Sequence, residues 1–146
     1  NDSHVLHIHG RAEVGDELIF GHGETMVEEP ELDENGDSNR TMFSDAESAA
    51  KYPFYALQKP VHEVLERNEG YFSSLKKVGE ICVIGHSFNK IDLPYFKKLV
   101  EHAQCAQWMI CCYCAHEGIG HVQKLVECGV LRERIHVCAY SDLELG

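Results

Sequence analysis

Polar and apolar positions in the last third of the chain alternate in blocks. "EICVIG" (80–85), "QWMICCYC" (107–114) and "RIHVCAY" (134–140) are short, almost continuously apolar runs. Between them, "DLPYFKKLVEHA" (92–103) and "GIGHVQKLVECG" (118–129) repeat apolar residues every three or four positions. Short apolar runs bounded by turn residues read as buried strands, and the longer spacing reads as one face of a helix. The resulting order, strand–helix–strand–helix–strand, predicts a parallel sheet covered on both faces, half of a doubly wound α/β fold. Asp92 is placed to cap the first helix, with Pro94 in its first turn, and Gly129 ends the second.

Upstream the pattern is weaker. "HVLHIHG" (4–10) and "ELIFGHG" (17–23) read as two short strands; in the first, Val5, Leu6 and Ile8 are apolar while His7 and His9 share a face. Residues 21–43 read as an acidic loop with Pro30 and the turn pair Asn35-Gly36. Residues 44–78 read as helical, with Ser44 and Asp45 as candidate caps and breaks at Pro53 and Pro60. Val61, Val64, Leu65, Phe72 and Leu75 form a stripe whose default meaning is core packing. Residues 79–146 then supply the βαβαβ half, and the whole of 1–146 is expected to form a single domain.

Charge and cysteine usage narrow the function classes. With 24 acidic against 13 basic residues the formal charge is −11, a field that repels phosphate backbones and disfavours nucleic-acid binding. Seven cysteines, an odd number with several in apolar runs, indicate reduced thiols and a cytoplasmic setting. No apolar run approaches the roughly 18–20 residues that cross a bilayer, and no signal peptide is visible, so no membrane role is expected. The first residue is Asn1 rather than Met, which suggests a portion of a larger protein.

Gly85-His86-Ser87, between strand and helix, is the turn where chemistry is expected. A serine-hydrolase elbow requires Gly-x-Ser-x-Gly running directly into a helix. Here Asn89 replaces the closing glycine, Phe88 is bulky, and the helix starts only at Asp92. Ser87 therefore does not read as a nucleophile. It either meets a ligand at the carboxyl end of a parallel strand, where open α/β sheets bind them, or satisfies its own loop.

"VLHIHG" (5–10), "LIFGHG" (18–23) and "VIGHSFNKIDLPYF" (83–96), with "FYALQKPVHEVL" (54–65), together resemble the AbiH family of bacterial abortive-infection proteins. That family in turn resembles the sirtuin-type NAD-binding fold. The resemblance implies a three-layer Rossmann-like domain, of which this chain would be the carboxyl-terminal portion. His9-Gly10 is similar to the sirtuin strand that ends in the catalytic histidine. Phe20-Gly21 is similar to the following landmark, and Gly85-His86-Ser87 to the Gly-Thr-Ser that touches NAD. It implies His9 as catalytic base, and Gly10, Gly21, Gly85, His86, Ser87, Asn89 and Asp92 around the cofactor, although Asp92 reads first as a helix cap. Tyr113, Cys114 and Glu117 would face the adenosine side. NAD would be ligand or substrate, with cleavage at the nicotinamide–ribose bond as the toxic output. No zinc ribbon is present, since no cysteine precedes Cys82. The glycine-rich dinucleotide turn and the catalytic asparagine would lie before Asn1, in the rest of the parent protein.

Two other readings compete. One is a non-catalytic nucleotide-sensing or interaction module, alone or as a homo-oligomer, whose histidines are structural. The other is a metal-dependent hydrolase built on His7 and His9, with His4, Asp16 and His22 nearby; it needs a third ligand and an open position. The leading reading expects no metal. Cys111 and Cys114 fit Cys-x-x-Cys, but they lie along an apolar run and read as core thiols.

Overall fold

The computed structural model describes residues 5–23, 30, 32–39 and 42–143. The chain divides into two compact units, Asn1–Pro60 and Val61–Gly146.

In the first unit the single α-helix among the described residues, α1 (Ser44–Ala56), carries Pro53 within its last turn and ends three residues later. Neither Ser44 nor Asp45 caps it: the helix begins at Ser44, behind Phe43, without a side-chain cap hydrogen bond. The two strands expected over 4–10 and 17–23 do not form among the described residues. A strand needs a neighbouring backbone to take its hydrogen bonds, and here the local polar groups go elsewhere. The Gly10 amide turns back to the His7 carbonyl at 3.0 Å, and the Ile19 amide donates to the His9 carbonyl at 3.0 Å. The second segment is tied to the chain after α1 by one isolated parallel bridge between His22 and Gln58. The His22 ring sits against Phe54, 4.3 Å between centroids.

The second unit starts with two short helices, α2 (Val61–Arg67) and α3 (Glu69–Ser74), each burying one apolar residue, Val64 and Phe72. Then come β1 (Glu80–Ile84), α4 (Leu93–His102), β2 (Gln107–Cys112), α5 (Ala115–Glu127) and β3 (Ile135–Ala139). The strands form a parallel sheet in the order β1-β2-β3. Ile81 stands opposite Trp108, Trp108 opposite Ile135, and Cys111 opposite Cys138.

Alternation along the strands decides which side is the core. Val83, Trp108, Ile110, Cys112 and Ile135 pack with Phe96 of α4 and with Val122 and Leu125 of α5 in one buried cluster. Both crossover helices therefore lie on the same face. This corrects the expectation that the continuous apolar runs imply helices on both sides within this segment. On the other face Ile84 is 57% exposed and Cys82 is also exposed. The runs read as doubly buried because cysteines, which pack as small hydrophobes, stand at outward positions. No helix of the described residues is long and apolar enough to cross a membrane.

Candidate functional site: a cleft at the strand ends

Where β1 leaves the sheet, Gly85 takes φ +68°, a left-handed conformation that favours glycine. The turn it opens is held from several sides. The Phe88 amide donates to Nδ1 of His86 at 2.8 Å, and Nε2 of the same ring lies 3.7 Å from Oδ2 of Asp92. Lys124 Nζ, reaching from α5, donates to the Ser87 carbonyl at 3.2 Å. Phe88 itself has φ +52°, unusual for a bulky side chain. The compensation is burial: Phe88 is 0% exposed and packs 4.6 Å from Phe96 and 4.9 Å from His121, between ring centroids.

The residues after Phe88 build the helix entry. Asn89 Oδ1 accepts from the Ile91 amide at 3.4 Å, and its carbonyl accepts from the Asp92 amide at 2.9 Å. Asp92 occupies the cap position of α4 with Pro94 in the first turn, as the sequence predicts, but its carboxylate makes no cap hydrogen bond. It faces His86 instead.

Above this turn, at the carboxyl ends of all three strands, lies a cleft of about 330 Å³. Gly85, His86 and Ser87 form one side. Cys111, Cys112 and Tyr113 contribute from the end of β2, Glu117 and His121 from α5, and Tyr140 from just beyond β3. Tyr113 is 86% exposed and stands edge-on to Tyr140 with ring centroids 5.7 Å apart. Among the described residues that line it, Glu117 is the only carboxylate, and there is no lysine or arginine.

Cys112 and His121 meet inside the cleft, Sγ to Nδ1 3.6 Å. A nucleophilic pair would require a thiolate beside an imidazolium. Burial acts the opposite way on both groups: it pushes the Cys112 thiol up, aided by the Glu117 charge. It also pulls the His121 imidazole down, aided by Lys124. The pair is neutral and packs as such.

Of the residues singled out in the sequence, Gly85, His86 and Ser87 line this cleft, while Asn89 and Asp92 shape the loop behind it. His9, Gly10 and Gly21 belong to the first unit. His9 sits half-buried at the His7–Gly10 turn. A side chain at Gly10 would run into the Glu17 carbonyl, and one at Gly21 into the Leu57 carbonyl, so close packing accounts for both glycines. Among the described residues no group of three or more His, Cys, Asp or Glu gathers in a way that could hold a metal ion, and His7 and His9 find no third ligand there. Sequence reading missed Tyr140, Cys112 and His121. Their signal was position: two end buried strands, and His121 lies two turns into the helix after β2, the places where parallel sheets present side chains to ligands.

The family model described as Bacteriophage abortive infection AbiH matches residues 1–113, which take in the first unit and the second as far as the end of β2. No curated protein and no solved structure matches the chain significantly.

Proposed function

This chain belongs to the bacteriophage abortive infection AbiH family, and on that premise we propose that it serves phage defence by binding a nucleotide, NAD first among them, in the strand-end cleft. One observation carries the reading. A cleft of about 330 Å³ opens at the carboxyl ends of three parallel strands, where open α/β sheets bind ligands, and its volume falls in the range of small-molecule sites. The exposed Tyr113 ring and its neighbour Tyr140 offer stacking faces for a base. Glu117 is placed to accept hydrogen bonds from ribose hydroxyls, and the Ser87 hydroxyl with the turn backbone meets ribose or phosphate.

In this proposal the sheet belongs to a three-layer, sirtuin-like Rossmann fold, and NAD is cleaved between nicotinamide and ribose. In the same reading His9, next to Gly10 in the chain, takes a proton from a ribose hydroxyl or water as positive charge develops on the sugar. The reading sets the protein in the cytoplasm, with a nucleotide rather than a nucleic acid or a membrane as partner, and allows a homo-oligomer.

A non-catalytic nucleotide sensor is the second reading. It is favoured by the engaged His86 ring and by the Cys112–His121 contact, which tie the cleft's imidazoles to structural partners. Incubating the full-length protein with NAD and following free nicotinamide separates the two. Release that disappears in His9→Ala supports the enzyme. NAD binding without release supports the sensor, and neither binding nor release removes both.

A further inference from the structure

The sheet face turned away from α4 and α5 carries a row of thiols. Cys111 Sγ lies 3.1 Å from Cys138 Sγ and 3.8 Å from Cys82 Sγ, one cysteine on each strand. Cys138 also points its Sγ at the Ile110 carbonyl, 3.7 Å away. All three are free thiols.

We propose that Cys111 and Cys138 are a modification site, closed to a disulfide by hydroperoxides, which clamps the cleft ends of β2 and β3 together. Register selects this pair. Cys111 and Cys138 are direct partners across neighbouring parallel strands, whose spacing of about 4.8 Å lies inside the separation that disulfides accept. Cys82 is the partner of Met109, two residues short of Cys111. That offset separates the backbones by about 8 Å, beyond the roughly 7 Å a bridge can span. The third thiol is close to Cys111 but unable to bridge to it.

Accessibility orders the chemistry. Cys138 is half-buried, whereas Cys111 is buried, and burial with the flanking thiols pushes the Cys111 thiol up to about 12. Cys138 is thus the group that meets the oxidant. Its sulfur attacks one peroxide oxygen, the O–O bond breaks, one water (or alcohol) leaves, and Cys138 becomes a sulfenic acid. The Cys111 sulfur then displaces the sulfenic oxygen, which leaves as a second water carrying the Cys111 proton. Two thiols lose two electrons, and the peroxide gains them. Tyr113 lies two residues beyond Cys111, and Tyr140 two beyond Cys138. The bond would therefore fix the strands that carry the two cleft tyrosines. Cys111 also lines the cleft, but the cross-link needs no nucleotide there.

The test is peptide mapping of the purified protein after hydrogen peroxide, with remaining thiols blocked by maleimide in denaturant. Expected is a cross-link between the β2 and β3 peptides, assigned by fragmentation to Cys111 and Cys138 rather than Cys112 or Cys114. It should lack two hydrogen masses, revert with dithiothreitol, persist in Cys82→Ser and vanish in Cys138→Ser. Recovery of Cys111 and Cys138 as blocked thiols, or a Cys82–Cys111 bridge in their place, would overturn the proposal. The wild-type map decides even where Cys138→Ser fails to fold.

Discussion

Phe88 shows how far a single residue can mislead when read without its surroundings. In the sequence its bulk argues only against a hydrolase elbow and places it in a loop. In the fold it is a plug at positive φ, fully buried and packed against the rings of His86, Phe96 and His121. Phe88→Ala should cost about 3–5 kcal/mol, the ordinary loss for truncating a buried aromatic, read as a lower denaturation midpoint in urea. Gly85 was legible for the opposite reason, since a glycine between strand and helix has few other uses. Gly85→Val should cost about 1–2 kcal/mol from its left-handed backbone alone. The side chain is expected to disturb the turn more than the core, so circular dichroism should stay native while ligand binding falls. His86 was legible by position but not by role, because its ring bridges the Phe88 amide two residues on and Asp92, the cap residue of α4, six residues on.

Among the elements, β1, β2, β3, α4 and α5 were readable because each carries its burial in its own sequence: unbroken apolarity for strands, a three-to-four repeat for helices. The segments over 4–10 and 17–23 were not, because alternating histidines satisfy a strand pattern whether or not a partner strand exists. The stripe over 61–75 correctly foretold burial of Val64 and Phe72, but its break into two short helices lies in local turns. Leu125, 0% exposed in the last turn of α5, should cost about 2–5 kcal/mol as Leu125→Ala.

The contact of α3 with α4 makes a pH prediction. Lys98 Nζ lies 2.7 Å from Glu69 and His102 Nε2 3.4 Å from it, and the Lys98 hydrogen bond holds the Glu69 carboxyl below its usual range. A carboxyl lowered by folding stabilises above its unfolded value near 4.5, and that contribution is lost as pH falls through the lower folded value. Thermal melts should therefore show wild type losing its advantage over Glu69→Gln below about pH 4.5. The gap at neutral pH should be small and shrink with added salt, because the groups are partly exposed. His121 has the opposite ionic form to protect: burial lowers its imidazole, so its contribution is complete above the ordinary value of 6.5 and declines as pH falls below it. His121→Phe should flatten the stability profile on the acid side of 6.5.

At the scale of the whole molecule, the sequence supported one expected domain, while the chain divides at Pro60 into two units. Turn residues and a proline mark that boundary, but nothing in local composition distinguishes a break between units from a loop within one. The α/β class was visible because the parallel half is complete within residues 80–139. The site was visible in part: the turn at 85–87 was named, and its companions Cys112, His121 and Tyr140 come together only through strand order.

Calorimetric titration of NAD into the purified protein and into Gly85→Val tests the central claim most directly. Saturable binding at one site per chain is expected, weakened roughly tenfold or more, about 1.4 kcal/mol, in a variant that keeps its native circular dichroism. A folded wild-type protein that takes up no NAD, or a variant that binds NAD as tightly as wild type does, would contradict it.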